Sequence, residues 1–244
     1  MNNNMRRFVA IVGIGLALVM SINRVFADAD SQKRTFEESE SFQKLSAEWQ
    51  QWALSIPTSV NPQLETQDTK PEKCMVGQRG SIWFLAGVFG GGTATRTCSV
   101  PEGKALFFPV INSINFNTPN VCGQGPGNLS VSEMRDASAA FINGATNLSV
   151  AVDGIAIKNL RRVQSDVFDV ALPADNVFDK PCKHDRLGDV PGGIYSPAVD
   201  DGIYVLLDPL DIGHHTLHFH AENPSQVFME DVTYNIKVVP VLEK

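Results

Sequence analysis

Positive charge is scarce in this chain of 244 residues, where 20 Lys and Arg stand against 27 Asp and Glu. Three of the 20, Arg6, Arg7 and Arg24, fall in the first 27 residues, which hold no acid. The remainder therefore carries 17 basic and 27 acidic residues, a net charge of −10. That balance argues against nucleic acid and anionic membrane surfaces as partners, and it favours solubility and cation binding. Motifs are missing too. There is no G-x-S-x-G, no P-loop, no G-x-G-x-x-G, no EF-hand loop and no internal repeat. Nucleophile-elbow hydrolysis and nucleotide binding thus have no signature to rest on. A βαβ alternation is also lacking, which disfavours a parallel α/β fold. Cysteine is limited to four residues, none in a C-x-x-C pair.

What is present is a globular composition, 43% hydrophobic and 19% charged. Residues 1–27 read as a signal peptide. Arg6-Arg7 precede an apolar run over 8–20 that is short for a membrane span, and Val25-Phe26-Ala27 offers a cleavage site, with a second after Ala29. An uncleaved anchor is the other reading of this segment. Residues 28–35 are polar and expected to be frayed. A single domain is expected over 36–244. With a signal peptide, the even cysteine count points to disulfides in the periplasm or outside the cell. Three pairings are open. Cys74 with Cys98 is favoured because the two flank one apolar strand, which leaves Cys122 with Cys182. A zinc site is the rival, but spacings of 24, 24 and 60 lack the paired knuckles zinc favours.

The densest apolar stretch outside the leader lies between Cys74 and Asn112. Its runs at 81–89 and 105–111 suit buried strands, and the turns at Gly90-Gly91-Gly92 and Pro101–Lys104 predict a meander of strands near 81–89, 93–99 and 104–111. A helix is expected over 36–55, where Phe42, Leu45, Trp49 and Trp52 share a face and Ile56-Pro57 ends it. Its tryptophans are either core or a carbohydrate-stacking platform. Ser130 and Glu133 form a capping box before a second helix, 131–143, with Gly144 after it. Asp153-Gly154 predicts a hairpin between 147–152 and 155–159. Further strands are expected at 163–172, 202–207, 214–220 and 228–239, with long loops at 112–129 and 176–196. In the last strand Val232, Tyr234, Ile236 and Val238 alternate with polar residues, giving one buried face. About nine strands and two helices point to a mainly β protein, an antiparallel β-sandwich of immunoglobulin-like type, or a jelly roll.

Four of the five histidines fall within 214–220. On a strand His215, Leu217 and Phe219 share the inward face. His214 and His218 lie about 13 Å apart, too far for one ion, whereas His218 and His220 lie about 6.7 Å apart. A hairpin through 221–226 would bring Asp231 beside His218. His218, His220 and Asp231 are therefore candidate ligands of a divalent transition metal such as Zn, Cu or Ni. A solvated histidine-rich face is the plainer reading. Asp200, Asp201, Asp208 and Asp211 form a looser candidate set for calcium. No serine stands in a recognisable catalytic setting, no carboxylate pair is singled out, and no catalytic residue is assigned.

The segments W-x2-W-A-L-S-I-P (Trp49 to Pro57), C-x2-G-Q-x-G-x-I-W-F-L-A-G (Cys74 to Gly87) and R-x-C-x-V-P-x-G-K-A-L-F-F-P-V-I-N (Arg96 to Asn112) resemble those of a group of uncharacterised secreted bacterial proteins. The stretch Asp201 to Phe219 is similar to the same group. The resemblance implies a bacterial exported protein and carries no activity or site. The leading expectation is a non-catalytic exported β-sandwich that binds a ligand or partner in the bacterial envelope. The alternatives are a metal-binding protein or metalloenzyme using the His218/His220 face, and a carbohydrate-active module.

Overall fold

The computed structural model describes residues 42–184 and 188–241. The expected signal peptide, the polar segment 28–35 and the first residues of the expected helix, 36–41, lie outside the described residues. The protein is mainly β, with two five-stranded sheets and no barrel. The strands are β1 (Ile82–Phe84), β2 (Gly92–Pro101), β3 (Ala105–Phe116), β4 (Thr146–Val152), β5 (Ile155–Ala156), β6 (Arg161–Gln164), β7 (Phe168–Leu172), β8 (Gly193–Leu207), β9 (Gly213–Asn223) and β10 (Phe228–Val239). Residues 42–55 form helix α1, followed by α2 (Val131–Asn143) and the short α3 (Asp179–His184).

One sheet runs β1-β3-β8-β6, with β7 also on β8, and the other runs β2-β10-β9-β4-β5. Two pairings are parallel, β1 with β3 and β2 with β10, and the rest are antiparallel. The pairing is mainly antiparallel, as expected, but the expected meander is corrected. β1 keeps only three residues of the run 81–89, and β2 joins the opposite sheet. The reason lies in Gly90, Gly91 and Gly92, whose φ angles are +80°, +83° and +123°. Glycines in the left-handed region let the chain leave the sheet plane, and the pairing of β2 with β10 carries it to the other layer.

The apolar run of β3 is continuous because both its faces are covered. Leu106, Phe108 and Val110 join Val205, Phe219 and Tyr234 in the core between the sheets, where Phe108 and Phe219 stack at 5.1 Å. Phe107 and Tyr204 point the other way and stack on each other beneath Phe42, Trp49 and Trp52 of α1. β9 and β10 have one covered face, which explains their clean alternation. The Asp153-Gly154 turn has φ of +51° and +79° and joins β4 to β5 as expected, although β5 is shorter than 155–159. The expected strand 163–172 is interrupted, giving β6 and β7 in turn along β8. Part of the expected loop 176–196 is α3 and the start of β8. Both disulfides are Cys74–Cys98 and Cys122–Cys182.

Candidate functional site

β10 supplies an acid where its alternation calls for an apolar side chain. Glu230 shares the parity of Val232, Tyr234, Ile236 and Val238, so it points inward and is 3% exposed. Its Oε1 accepts the Val88 N–H at 2.6 Å. Among the described residues none donates a hydrogen bond to Oε2. The carboxyl fits only because residue 87 is glycine, since a Cβ there would lie 2.0 Å from Oε1. Burial pushes the carboxyl up to about 8, against the lowering effect of the Val88 N–H and the nearby Arg96 charge. Glu230 is therefore largely protonated at neutral pH.

Arg96 on β2 holds the loop that frames this acid. It is buried, and it donates through Nε to the Glu65 carbonyl at 2.7 Å and through Nη2 to the Gly87 carbonyl at 3.0 Å. Nη1 donates to the Ala86 carbonyl and to the Tyr234 hydroxyl. The guanidinium is thus spent on backbone oxygens, a positioning role.

Glu230 opens onto a cleft of about 260 Å³. It is lined by Trp49 and Gln50 of α1, by Asn112, Ser113 and Ile114 of β3, and by Val88, Phe89, Phe141 and Phe228. A second buried acid, Asp200, is bonded to the lining residue Gln50. Gln50 Nε2 donates to its Oδ1 at 2.6 Å and the Tyr204 hydroxyl donates to its Oδ2 at 2.7 Å. Burial raises Asp200 to about 8; the Tyr204 and Gln50 hydrogen bonds oppose this and the Asp201 charge adds to it. A concave site with a buried, shifted acid at its edge is the arrangement that ligand sites share.

The residues singled out from the sequence fare differently. Asp231 pairs in register with His220, and Thr233 pairs with His218. Even so, the Asp231 carboxylate reaches both rings. Its Oδ1 lies 3.0 Å from His218 Nε2, and its Oδ2 lies 3.4 Å from His220 Nδ1. His220 Nε2 turns instead to Glu222 Oε1 at 3.1 Å. Among the described residues no three His, Cys, Asp or Glu are grouped so as to hold a metal ion. His215 is half-buried near the start of β9, its Nδ1 on Asp153 at 2.7 Å and its Nε2 on the Asp211 carbonyl at 2.9 Å. The calcium set is dispersed. Asp200 and Asp201 are buried within β8, Asp201 held by Arg162 and Gln164, while Asp208 and Asp211 are exposed in the turn beyond it. Trp49 and Trp52 are core residues, their indole N–H groups donating to the Leu85 and Val76 carbonyls at 2.9 Å. They offer no exposed stacking platform.

Glu230 escaped the sequence analysis although its signal was available, as an ionisable residue in phase with four buried positions of a strand. No known protein family, curated protein or solved structure matches the chain.

Proposed function

We propose that the chain is an exported, non-catalytic β-sandwich protein that binds a small ligand in the cleft beside Glu230. The carrying observation is the Glu230 carboxyl, which accepts one hydrogen bond from the Val88 N–H, in a concave site also lined by Phe89, Phe141 and Phe228. Two sheets sharing one core favour the sandwich reading, of the immunoglobulin-like or jelly-roll type, with α1 covering the outer face of one sheet. Export to the periplasm or beyond is supported by the disulfides and by the resemblance to secreted bacterial proteins. Among the described residues no helix is long and apolar enough to cross a membrane. Protein-observed NMR with a library of neutral, cationic and anionic small molecules tests the cleft. Shifts are expected to gather at 87–90, 112–114 and 228–230. Shifts gathered on β9, or none at all, would overturn the reading.

A second reading, a divalent metal on the β9 face, is favoured by one observation: Asp231 touches both His218 and His220. Metal analysis beside a His218→Ala/His220→Ala variant tests it. One equivalent bound by the parent and lost in the folded variant is the result it requires.

A further inference from the structure

Resting on the cleft reading above, we propose that the ligand is an organic ammonium ion, a primary or secondary amine whose head pairs with Glu230 and whose carbon frame lies against Phe89, Phe141 and Phe228.

Charge selects against the other classes. Among the described residues Glu230 is the one ionisable side chain lining the cleft, and no Lys, Arg or His lines it, so a phosphate or carboxylate would find no cationic partner there. The nearest cation, Arg96, is buried and turned onto the carbonyls of Glu65, Ala86 and Gly87. A neutral polyol is disfavoured for a different reason, because the amides that could bind hydroxyls already face the protein. Gln50 Nε2 is held by Asp200, Gln63 Nε2 by the Ala53 carbonyl at 3.4 Å, and Asn112 Nδ2 by the Tyr204 hydroxyl at 3.4 Å. The charged-capable group left among the phenyl rings is the Glu230 carboxyl. Phe141 and Phe228 meet edge to face at 5.3 Å, and Phe89 is braced by Phe178 at the same distance. A carboxylate among aromatic rings suits an ammonium group, through an ion pair and cation–π attraction together. The acidic excess of the chain concentrates cations near the protein.

The pairing has a proton balance. Before binding, the Glu230 O–H bond is intact. As the ammonium enters, that bond breaks, the proton passes to solvent, and the carboxylate left behind faces the ligand cation. Of the acids near the cleft, Asp200 on β8 is also raised to about 8, but it is enclosed by Gln50 and Tyr204 and does not line the cleft, so Glu230→Gln tells the two apart. β2 contributes Arg96. α1, the 87–90 loop, β3 and α2 line the cleft with uncharged side chains. β9 sets Ala221 opposite Glu230, and its Glu222 is engaged with His220 and Asn147. On β10 itself, Asp231 turns to the histidines on the far face.

The test uses 2-phenylethylamine, its neutral isostere 2-phenylethanol, and methyl glucoside, with the intact mature protein and a Glu230→Gln variant. Calorimetry at pH 7 in buffers of different ionisation enthalpy counts protons, and NMR maps each probe. The amine is expected to bind at the cleft with release of close to one proton. Its affinity should rise about tenfold per pH unit from pH 5 and level off near pH 8. Glu230→Gln should lose at least tenfold in affinity and the proton release. If the variant does not fold, the proton count and pH slope of the parent decide. Binding of the alcohol or glucoside as tight as the amine, without proton release, overturns the ammonium assignment while leaving the cleft as a ligand site. Absence of cleft shifts with all three probes overturns both.

Discussion

Glu230 is one of two buried acids whose raised values couple folding to pH. Its ordinary value is 4.5 and its folded value about 8, so between these pH values the folded chain keeps a proton that the unfolded chain has released. Its contribution to stability is therefore full below about pH 4.5 and is lost as pH rises toward 8. Asp200 behaves in the same sense, raised by burial from 3.8 to about 8. Urea denaturation from pH 5 to 8 should show falling stability. Glu230→Gln, which carries no titrating proton, should fall less steeply over that range, by on the order of a few kcal/mol. A parallel slope in parent and variant would assign the pH dependence elsewhere. Gly87 offers a second test. Gly87→Ala puts a methyl group into the space of the carboxyl and is expected to cost about 2–4 kcal/mol. Combining it with Glu230→Ala should recover part of that loss. Strict additivity in this double-mutant cycle would contradict the close approach.

At the scale of elements, α1 depends on what closes its C-terminus. Asn61 is fully buried, and its Nδ2 donates to the carbonyls of Ala53 and Ile56 at 2.8 and 2.9 Å. Its Oδ1 accepts the Gln63 N–H at 2.9 Å, which starts the following 3-10 turn. One side chain thus satisfies carbonyls at the end of the helix and redirects the chain. Asn61→Ala removes both donors, leaving the Ala53 carbonyl only the long bond from Gln63 Nε2, and should cost about 2–3 kcal/mol in chemical denaturation with an unchanged m-value. By comparison Ser130→Ala, which removes an exposed capping box on α2, should cost only about 1 kcal/mol. An equal cost for the two would mean that burial does not set the price of a lost cap. The same contrast separates β9 from β3. β9 shows its histidines because one of its faces is wet, and β3 shows an unbroken apolar run because neither face is.

For the whole molecule the two disulfides matter most, because they tie segments that no strand pairing joins directly. Cys74–Cys98 links the 3-10 turn Pro71–Met75 to β2, and Cys122–Cys182 links the 112–129 loop to α3. Separations of 24 and 60 residues correspond to about 3.5 and 4 kcal/mol in the chain-entropy model. Replacing either pair by serine should lower stability by about 2–4 kcal/mol, read from denaturation of the purified protein. The Cys122/Cys182 replacement should leave the cleft resonances at 112–114 and 228–230 in place. Collapse of those resonances would mean that the loop tether, and not the sheets, shapes the site.

Local physics made much of this protein legible in its sequence. The alternation of β10, the aromatic stripe of α1, the capping box at Ser130 and the Asp153-Gly154 turn each rest on residues a few positions apart. Periodicity and turn chemistry act at that range. The cysteine pairs were partly legible too, through the strand that Cys74 and Cys98 flank. What tertiary structure alone decided was the choice of partners. The glycine run reads equally well as a hairpin turn or as a crossing between layers, and the packing of β2 on β10 selected the crossing. The Asp200–Asp211 acids look like one cluster in sequence, yet burial within β8 separated the first two from the others. The cleft is the clearest case. Glu230 and Val88, whose N–H meets its carboxyl, stand 142 residues apart, and no local pattern links an acid at an apolar position to the distant glycine that makes room for it. Contacts between distant residues come from filling a shared core, so the site became visible only once both sheets were in place.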